Sequence, residues 1–167
     1  GDSVSISYIL RDIASAYSNL KEYDKSLSLF NDAYKVADAN NQLSVASNIL
    51  YDIALMYIQR QMQDSVIVYM KKALLKDSAL VNFEGTCLTL ADEYRKINKL
   101  DSARYYLSRC ANSNSLFTKA GYYYFLANIE EDAGNYKKSL DAYKISYNYQ
   151  DSIRDKHSAE ALAEVVA

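Results

Sequence analysis

The stretch that decides the fold is 13-IASAYSNLKEYDKSLSLFNDA-33, because it holds five spaced positions that recur three more times along the chain. Ala14 is followed by Tyr17, then by a small residue at Ser26, a bulky one at Phe30 and a small one at Ala33. Residues three and four apart lie on one face of an α-helix. The stretch therefore predicts two helices joined by a short polar turn.

The same spacing starts again at Ala54, Ala91 and Ala127, so the chain contains four copies of one unit. The fourth copy has Glu130 where the others have a tyrosine. The three later positions of the four copies are Ser26, Phe30 and Ala33; Val66, Met70 and Ala73; Ala103, Leu107 and Cys110; and Ser139, Tyr143 and Ser146. The alanines are 40, 37 and 36 residues apart. A repeat of this length predicts stacked helix hairpins.

Small residues explain how the two helices of a hairpin would meet. Ala14 and Ser26 let two antiparallel backbones approach closely, while bulky neighbours interdigitate around them. The first helix should carry an apolar stripe made by Leu10, Ile13, Ala14 and Tyr17.

The turn between the helices also repeats. Asp24, Asp64 and Asp101 stand where the second helix should begin, and a carboxylate there can accept a free backbone N–H of the first turn. The fourth copy has Gly134-Asn135 instead, which supplies a residue tolerant of left-handed backbone geometry.

The pattern resembles the tetratricopeptide repeat (TPR) over about residues 4–150. The usual tryptophan position of that family is filled by Leu10, Leu50, Cys87 and Tyr123, and its terminal proline is missing because the chain has no proline. The resemblance implies an all-α, right-handed α-α superhelix of four helix hairpins. The hairpins would span about 7–40, 47–80, 84–117 and 120–153, with a C-terminal helix at 152–167.

We expect nine helices, at about 4–20, 24–39, 43–61, 64–77, 79–97, 101–112, 116–133, 137–149 and 152–166. The last has no partner in the repeat. Its apolar residues Ile153, Leu162, Val165 and Val166 would cover the hydrophobic face of the final hairpin.

Composition argues against several classes of function. The net charge of −2 provides no basic field for nucleic acid or anionic lipid, so we expect no direct nucleic-acid contact. No apolar run reaches the length of a membrane span. The single histidine, His157, lacks the further ligands of a metal site. Cys87 and Cys110 fall on core positions, and we expect two buried thiols, with a disulfide between them as the alternative.

The remaining polar residues suggest no active site. Gly85, Gly121 and Gly134 are isolated and form no phosphate-binding loop. The carboxylates at 130–132 should form a solvated or groove-lining acidic patch. We therefore expect no catalysis and no cofactor.

In TPR proteins the inner wall is made by the first helix of each pair, and ligands contact residues off the packing stripe. Carried over to this chain, the resemblance implies contact positions on the concave face at Ser18, at Asn48 and at twelve further residues. Five of the twelve are apolar although core packing does not require it, which is typical of a partner site: Tyr51, Leu55, Ile58, Leu88 and Tyr124. The other seven are Tyr8, Arg11, Ser15, Asp92, Arg95, Asn128 and Glu131.

The function implied by the resemblance is a non-catalytic scaffold that binds a protein or peptide. Three turns resemble those in TPR sensor regions of bacterial membrane-anchored signalling or transcription-regulatory proteins: Gln63-Asp64-Ser65, Leu100-Asp101-Ser102 and Gln150-Asp151-Ser152. That likeness implies a periplasmic or cell-envelope location, with a membrane anchor outside this sequence; the alternative is cytoplasmic. Other readings are a free-standing scaffold that self-associates as a homodimer through its terminal helix, and a glycan-binding module that uses its tyrosines.

Overall fold

A computed structural model describes residues 2–76 and 82–166 of the chain, with side chains described for 5–76 and 82–158. Within these ranges the chain is helical and contains no strand, so the predicted all-α class is confirmed. The helices are α1 Asp2–Asn19, α2 Tyr23–Ala39, α3 Leu43–Gln59, α4 Gln63–Lys76, α5 Phe83–Lys96, α6 Leu100–Ser108, α7 Leu116–Asp132 and α8 Tyr136–Val166. They form two compact units, Gly1–Thr86 and Cys87–Ala167.

The helices pair as the repeat predicts. In the first unit α1 packs on α2 and α3 packs on α4, and in the second unit α7 packs on α8. The four repeat alanines, Ala14, Ala54, Ala91 and Ala127, are each 0% exposed. The predicted alanine-sized contacts between helices are therefore confirmed.

Serine hydroxyls tie the helices of a hairpin together at these contacts. Ser26 Oγ, on α2, donates to the backbone oxygen of Ala14 at 2.8 Å. In the second hairpin Ser47 Oγ donates to the oxygen of Ala73, also at 2.8 Å. Each hydroxyl is buried and satisfied by a carbonyl of the facing helix, which lets a small polar residue occupy a core position without an unpaired group.

The fourth hairpin makes the equivalent of the Ser47 bond of the second hairpin, but in the opposite direction. Ser146 Oγ, on the second helix, donates to the oxygen of Ala120 on the first at 2.8 Å. A serine thus occurs on either side of this contact, which explains why the repeat specifies small size at these positions rather than one residue type.

A left-handed residue closes each hairpin turn, seven positions after the repeat alanine. Lys21, Gln61, Asn98 and Gly134 have φ angles of 62, 56, 57 and 76°. In the first turn the N–H of Lys21 bonds to the oxygen of Ser18, and the next N–H reaches back to Tyr17, so the last carbonyls of α1 are satisfied. The expected left-handed geometry at Gly134 is confirmed.

The aspartates of the turns do not occupy the N-cap position. α2 begins at Tyr23, and its N-cap, Glu22, makes no side-chain capping bond. Asp24 and Asp64 lie inside the first turns of α2 and α4, and Asp101 inside that of α6. They can favour the helices through the dipole, whereas the backbone bonds of the turn satisfy the preceding helix end.

Two expectations from the sequence are wrong, and a third concerns side chains outside the described residues. The separate helix at 152–166 is wrong, because α8 runs without a break from Tyr136 to Val166. No glycine or proline interrupts it at Asp151, and Ser152 Oγ bonds back to the oxygen of Asn148 within the helix. Ile153 is half-buried, but the side chains of Leu162, Val165 and Val166 lie outside the described residues. Ile13 is 43% exposed and does not belong to the buried stripe of α1.

Both cysteines are buried thiols that are not joined in a disulfide, as expected. Among the described helices none is both long enough and apolar enough to cross a membrane.

Candidate binding surfaces

In the first unit, α1 and α3 are joined by an ion pair on the predicted inner wall. Arg11 Nε contacts the carboxylate of Asp52, and both side chains are largely covered. The bond to Asp52 raises the pKa of Arg11. Burial raises the pKa of Asp52, and the attraction of Arg11 opposes that rise only in part. The pair is thus a charged link between two helices in a site partly shielded from water.

A cavity of about 100 Å³ lies beside this pair. Two predicted contact residues, Ser15 and Leu55, line it, and its other lining residues are Ser18, Asn19, Phe30, Asp52, Met56 and Gln59. Ser15 Oγ donates to the oxygen of Arg11 one turn earlier, at 3.0 Å. The cavity has an apolar floor of Phe30 and Met56, with amide, hydroxyl and carboxylate groups around it.

Apolar side chains are exposed along the same two helices. Tyr8 is 41% exposed, and Leu55 and Ile58 are each 37% exposed. Asn48 lies one helical turn before Asp52, and its Oδ1 atom is buried without a hydrogen-bond partner among the described residues. A buried acceptor without a partner is uncommon in native proteins. The α1–α3 wall therefore combines exposed apolar groups with an unsatisfied acceptor.

Tyr51 is placed differently from this set. Its ring packs against the buried Leu50–Ala73 cluster together with Tyr34 and Tyr69. Burial raises the pKa of its hydroxyl, with a further contribution from the adjacent Asp52 carboxylate. Core packing thus uses Tyr51, which the sequence analysis did not expect.

A second cavity, of about 420 Å³, lies on the α2–α4 side of the first unit. Tyr34, Tyr69, Lys72 and Lys76 line it with Asn31, Leu50 and Leu75. Its ammonium groups have partners: Lys72 lies 5.0 Å from the centre of the Tyr69 ring, and Lys76 pairs with Asp38. No candidate site was expected on these second helices from the sequence.

In the second unit, Asp92 and Arg95 belong to one network of charges. Arg95 Nη2 lies 2.9 Å from Asp92 Oδ1, and its Nη1 lies 2.9 Å from Asp132 Oδ2 on α7. Lys96 Nζ also contacts Asp92, at 2.8 Å. Burial alone would lower the pKa of Arg95, but the bonds to the two aspartates outweigh it and raise that pKa. Arg95 thus links α5 to α7, as Arg11 links α1 to α3.

Three predicted residues of α7 gather around one tyrosine of α8. Tyr143 Oη lies 2.6 Å from Asn128 Oδ1 and 3.3 Å from Glu131 Oε2, and its ring meets Tyr124 edge to face at 6.0 Å. Burial raises the pKa of Tyr143, and the Glu131 carboxylate adds to the effect. Tyr124 remains 45% exposed. These four side chains form a compact aromatic and polar surface on the second unit.

Leu88, the remaining predicted residue, packs towards α7. A methyl group built on Gly121 would come within 2.9 Å of Leu88 Cδ1. Leu88 is half-buried at this contact, and the absence of a side chain at Gly121 makes room for it. It therefore serves helix packing as well as the surface.

The expectation of a solvated acidic patch at 130–132 is wrong for Glu130, which is only 6% exposed. It pairs with Arg104 of α6, and Asn135 Nδ2 donates to its second oxygen at 2.8 Å. The bond to Arg104 is the main cause that lowers the pKa of Glu130. Glu130 stands where Tyr57 and Tyr94 stack on tyrosines of α4 and α6, so an ion pair replaces a stacked pair.

The pairings made by Asp52, Asp132 and Tyr143 were not predicted from the sequence. Asp52 comes one position after the predicted Tyr51, and Asp132 one position after Glu131. A search for opposite charges at matching or adjacent positions of neighbouring copies could have found both. Tyr143 was already assigned as a bulky core residue, and nothing in its spacing indicates that its hydroxyl reaches α7.

The described residues contain no group of three or more His, Cys, Asp or Glu side chains placed to hold a metal ion. What the two surfaces offer is exposed aromatic and aliphatic area, ion pairs and amide groups. Such groups can hold a ligand by contact and hydrogen bonding.

No family model matches this sequence, and no curated protein is similar to it. Among solved structures, the crystal structure of BtubC (BKLC) from P. vanneervenii superposes on 92% of this chain with a TM-score of 0.77 and 15% sequence identity. This chain covers 66% of that chain, slightly less than two thirds of its length. At this identity the similarity shows the helical fold and nothing further.

Proposed function

We propose that this chain is a non-catalytic binding module of TPR type, which holds an extended segment of a protein or peptide on the wall formed by α1 and α3. The repeat spacing and the buried alanines support the TPR assignment. The α1–α3 wall carries the proposal because it combines exposed Leu55 and Ile58 with the unsatisfied acceptor of Asn48.

The chemistry of this wall fits a peptide. A dry cavity of about 150 Å³ can accept benzene, so the cavity of about 100 Å³ fits a small aliphatic side chain. The Oδ1 atom of Asn48 is buried in this conformation, so it accepts a backbone N–H of the ligand only after its side chain turns towards the wall. Arg11 has five N–H donors, and its Nε makes the described bond to Asp52, so further donors can meet ligand carbonyls. The α2–α4 cavity is the weaker candidate because its cations already have partners.

The second unit presents a related surface, and we propose that it contacts the same class of ligand. Tyr124 offers exposed ring area beside the Glu131 carboxylate. Asp92 and Arg95 pair with each other, so we expect them to make this surface polar and not to offer an unpaired cation to a ligand.

A displayed library of random peptides, selected against the wild-type protein, tests the proposal. Selected peptides should lose at least about tenfold in affinity, roughly 1.4 kcal/mol, when Leu55→Asp is introduced. Asn48→Ala should weaken them as well, because it removes the acceptor. Val68→Asp is the matched control, since Val68 on α4 is 47% exposed and lies outside the wall.

The result that contradicts the proposal is equally definite. If selection yields no binder, or if binders lose as much affinity to Val68→Asp as to Leu55→Asp, the α1–α3 wall is not a peptide site. Circular dichroism of each variant checks that its helices are intact.

The wider setting of the module stays a prediction. A sensor or interaction region of a larger bacterial signalling protein in the cell envelope, a cytoplasmic location and a glycan ligand all depend on sequence likeness or composition. Sugar binding would require Tyr124→Ala to abolish retention on immobilised glycans.

A further inference from the structure

The outer face of α1 carries an uncovered row of apolar residues. Ile6, Ile9 and Ile13 are 48, 57 and 43% exposed. Ala16, three positions further on, is exposed as well. Their spacing of three, four and three residues places them on one side of the helix. Burying such a row is favourable, and exposed isoleucines at this density are typical of an interface.

The repeat indicates which kind of helix fits this face. The residues 40 positions later, Ala46, Ile49, Ile53 and Met56 on α3, are exposed by only 0, 0, 1 and 1%. They belong to a helix that packs against α2, the second helix of the preceding hairpin. The exposed face of α1 therefore corresponds to a face of α3 that is buried, on a helix that packs against α2.

The other half of this interface is uncovered on α8. On α2, the helix that packs on α3, Tyr23, Leu27 and Tyr34 are half-buried. Arg60 lies over the Tyr23 ring at 5.3 Å, and Tyr34 packs on the Leu50–Ala73 cluster. The residues 113 positions later on α8 are exposed: Tyr136 by 72%, Leu140 by 55% and Tyr147 by 62%.

We propose that the α1 face of one copy of this chain binds the α8 face of a second copy, and that this contact repeats the α2–α3 interface between hairpins. The two faces correspond by repeat register to the two sides of an interface that the chain already forms internally. A second copy therefore supplies matching residues at matching spacing. This contact does not depend on the peptide site of the α1–α3 wall.

The two faces are different, so the contact is heterologous. Each joined pair still has one free α1 face and one free α8 face. Association can consequently continue beyond a dimer as the protein concentration rises, into an open row or a closed ring of copies.

Two charge variants separate this arrangement from a symmetric one. The first carries Ile9→Asp with Ile13→Asp, and the second carries Leu140→Asp with Tyr147→Asp. All four positions are exposed, so the variants should keep their helices, which circular dichroism checks. Val68→Asp again serves as the control, because Val68 is exposed to a similar extent on α4.

Sedimentation velocity and light scattering over a wide concentration range provide the measurement. The wild type and the control should rise in average mass with concentration, while each double variant alone should stay at the monomer mass of 18.9 kDa. An equimolar mixture of the two double variants should form a species of twice that mass and nothing larger. One partner retains its α8 face and the other its α1 face.

Three outcomes would overturn the proposal. The wild type could remain a monomer at every concentration, in which case the α1 face does not serve a second copy. The α8 variant could still dimerise while the α1 variant does not, which would indicate a symmetric α1–α1 contact. The mixture could also fail to form the heterodimer. Peptide binding by the double variants reports separately on the proposed function.

Discussion

Replacing Ala14 by leucine tests the alanine-sized contact between α1 and α2. Ala14 is 0% exposed, and its backbone oxygen accepts the hydroxyl of Ser26 at 2.8 Å. A leucine side chain has no free volume to occupy there, so the two helices must separate or the leucine must leave its preferred rotamer. The buried hydroxyl of Ser26 would then lose its partner.

The expected loss of stability follows from these two effects. Overfilling a packed core costs about 1–3 kcal/mol, and leaving a buried hydroxyl unpaired costs about 1–3 kcal/mol. Alanine and leucine have similar helix propensities, so propensity contributes little. We expect the free energy of unfolding to fall by about 2–6 kcal/mol, a large share of the roughly 5–15 kcal/mol of a typical domain.

Urea unfolding followed by circular dichroism measures this loss. Ala16→Leu is a matched control, because Ala16 is two residues away in the same helix but exposed; it should change the free energy by less than about 0.5 kcal/mol. A low protein concentration keeps association through the α1 face out of the comparison. Equal stabilities for the two variants would refute the close helix contact at Ala14.

Three further predictions concern the polar contacts and turns. Glu130→Gln should lower the free energy of unfolding at neutral pH by about 1–2 kcal/mol, because it removes the charge that pairs with Arg104. The loss stays modest because Arg104 is partly exposed and water screens the pair. Since the folded-state pKa of Glu130 is lowered, the difference from wild type should shrink as pH falls below the unfolded value of about 4.3; a difference independent of pH in acid denaturation curves would contradict this. Arg11→Met should cost about 1–3 kcal/mol at neutral pH by leaving a buried carboxylate at Asp52 unpaired. Because the pKa of Asp52 is already raised by burial, lowering the pH or adding Asp52→Asn should recover part of that loss in thermal melts, and no recovery would argue against the ion pair. Gly134→Ala should destabilise by about 1–2 kcal/mol because its φ of 76° disfavours a side chain. No neighbouring atom would clash with the new methyl group, so an unchanged melting temperature would show that the turn adopts another geometry.

Much of the fold could be predicted from local spacing. The offsets from Ala14 to Ser26 and Phe30 specify two facing helix surfaces, and all three residues are buried. The bounds of the helices were harder to place, because they depend on weak local preferences. The helix end expected near Asp151 was wrong, because a polar Asp-Ser pair can continue a helix when no glycine or proline intervenes.

The candidate surfaces were only partly predictable. Ser15 and Leu55 line one cavity, and Asp92 contacts Arg95. The positions of these residues could be predicted because they depend only on which face of a helix a residue occupies. Tyr51 could not be assigned in the same way. Whether its ring turns towards the wall or the Leu50–Ala73 cluster depends on the space left by neighbouring helices.

The sequence by itself determined that this chain folds as helix hairpins with alanine contacts, since residues three and four apart must share a helix face and only small residues allow close approach. Only the tertiary structure decided which residues the charged groups pair with and which helix faces are exposed. Arg11 and Asp52 are 41 residues apart, and Ile13 and Ile53 occupy equivalent positions with opposite exposure. Such differences arise because an ion pair or a buried face depends on which helix lies alongside, and repeat spacing alone does not specify that neighbour.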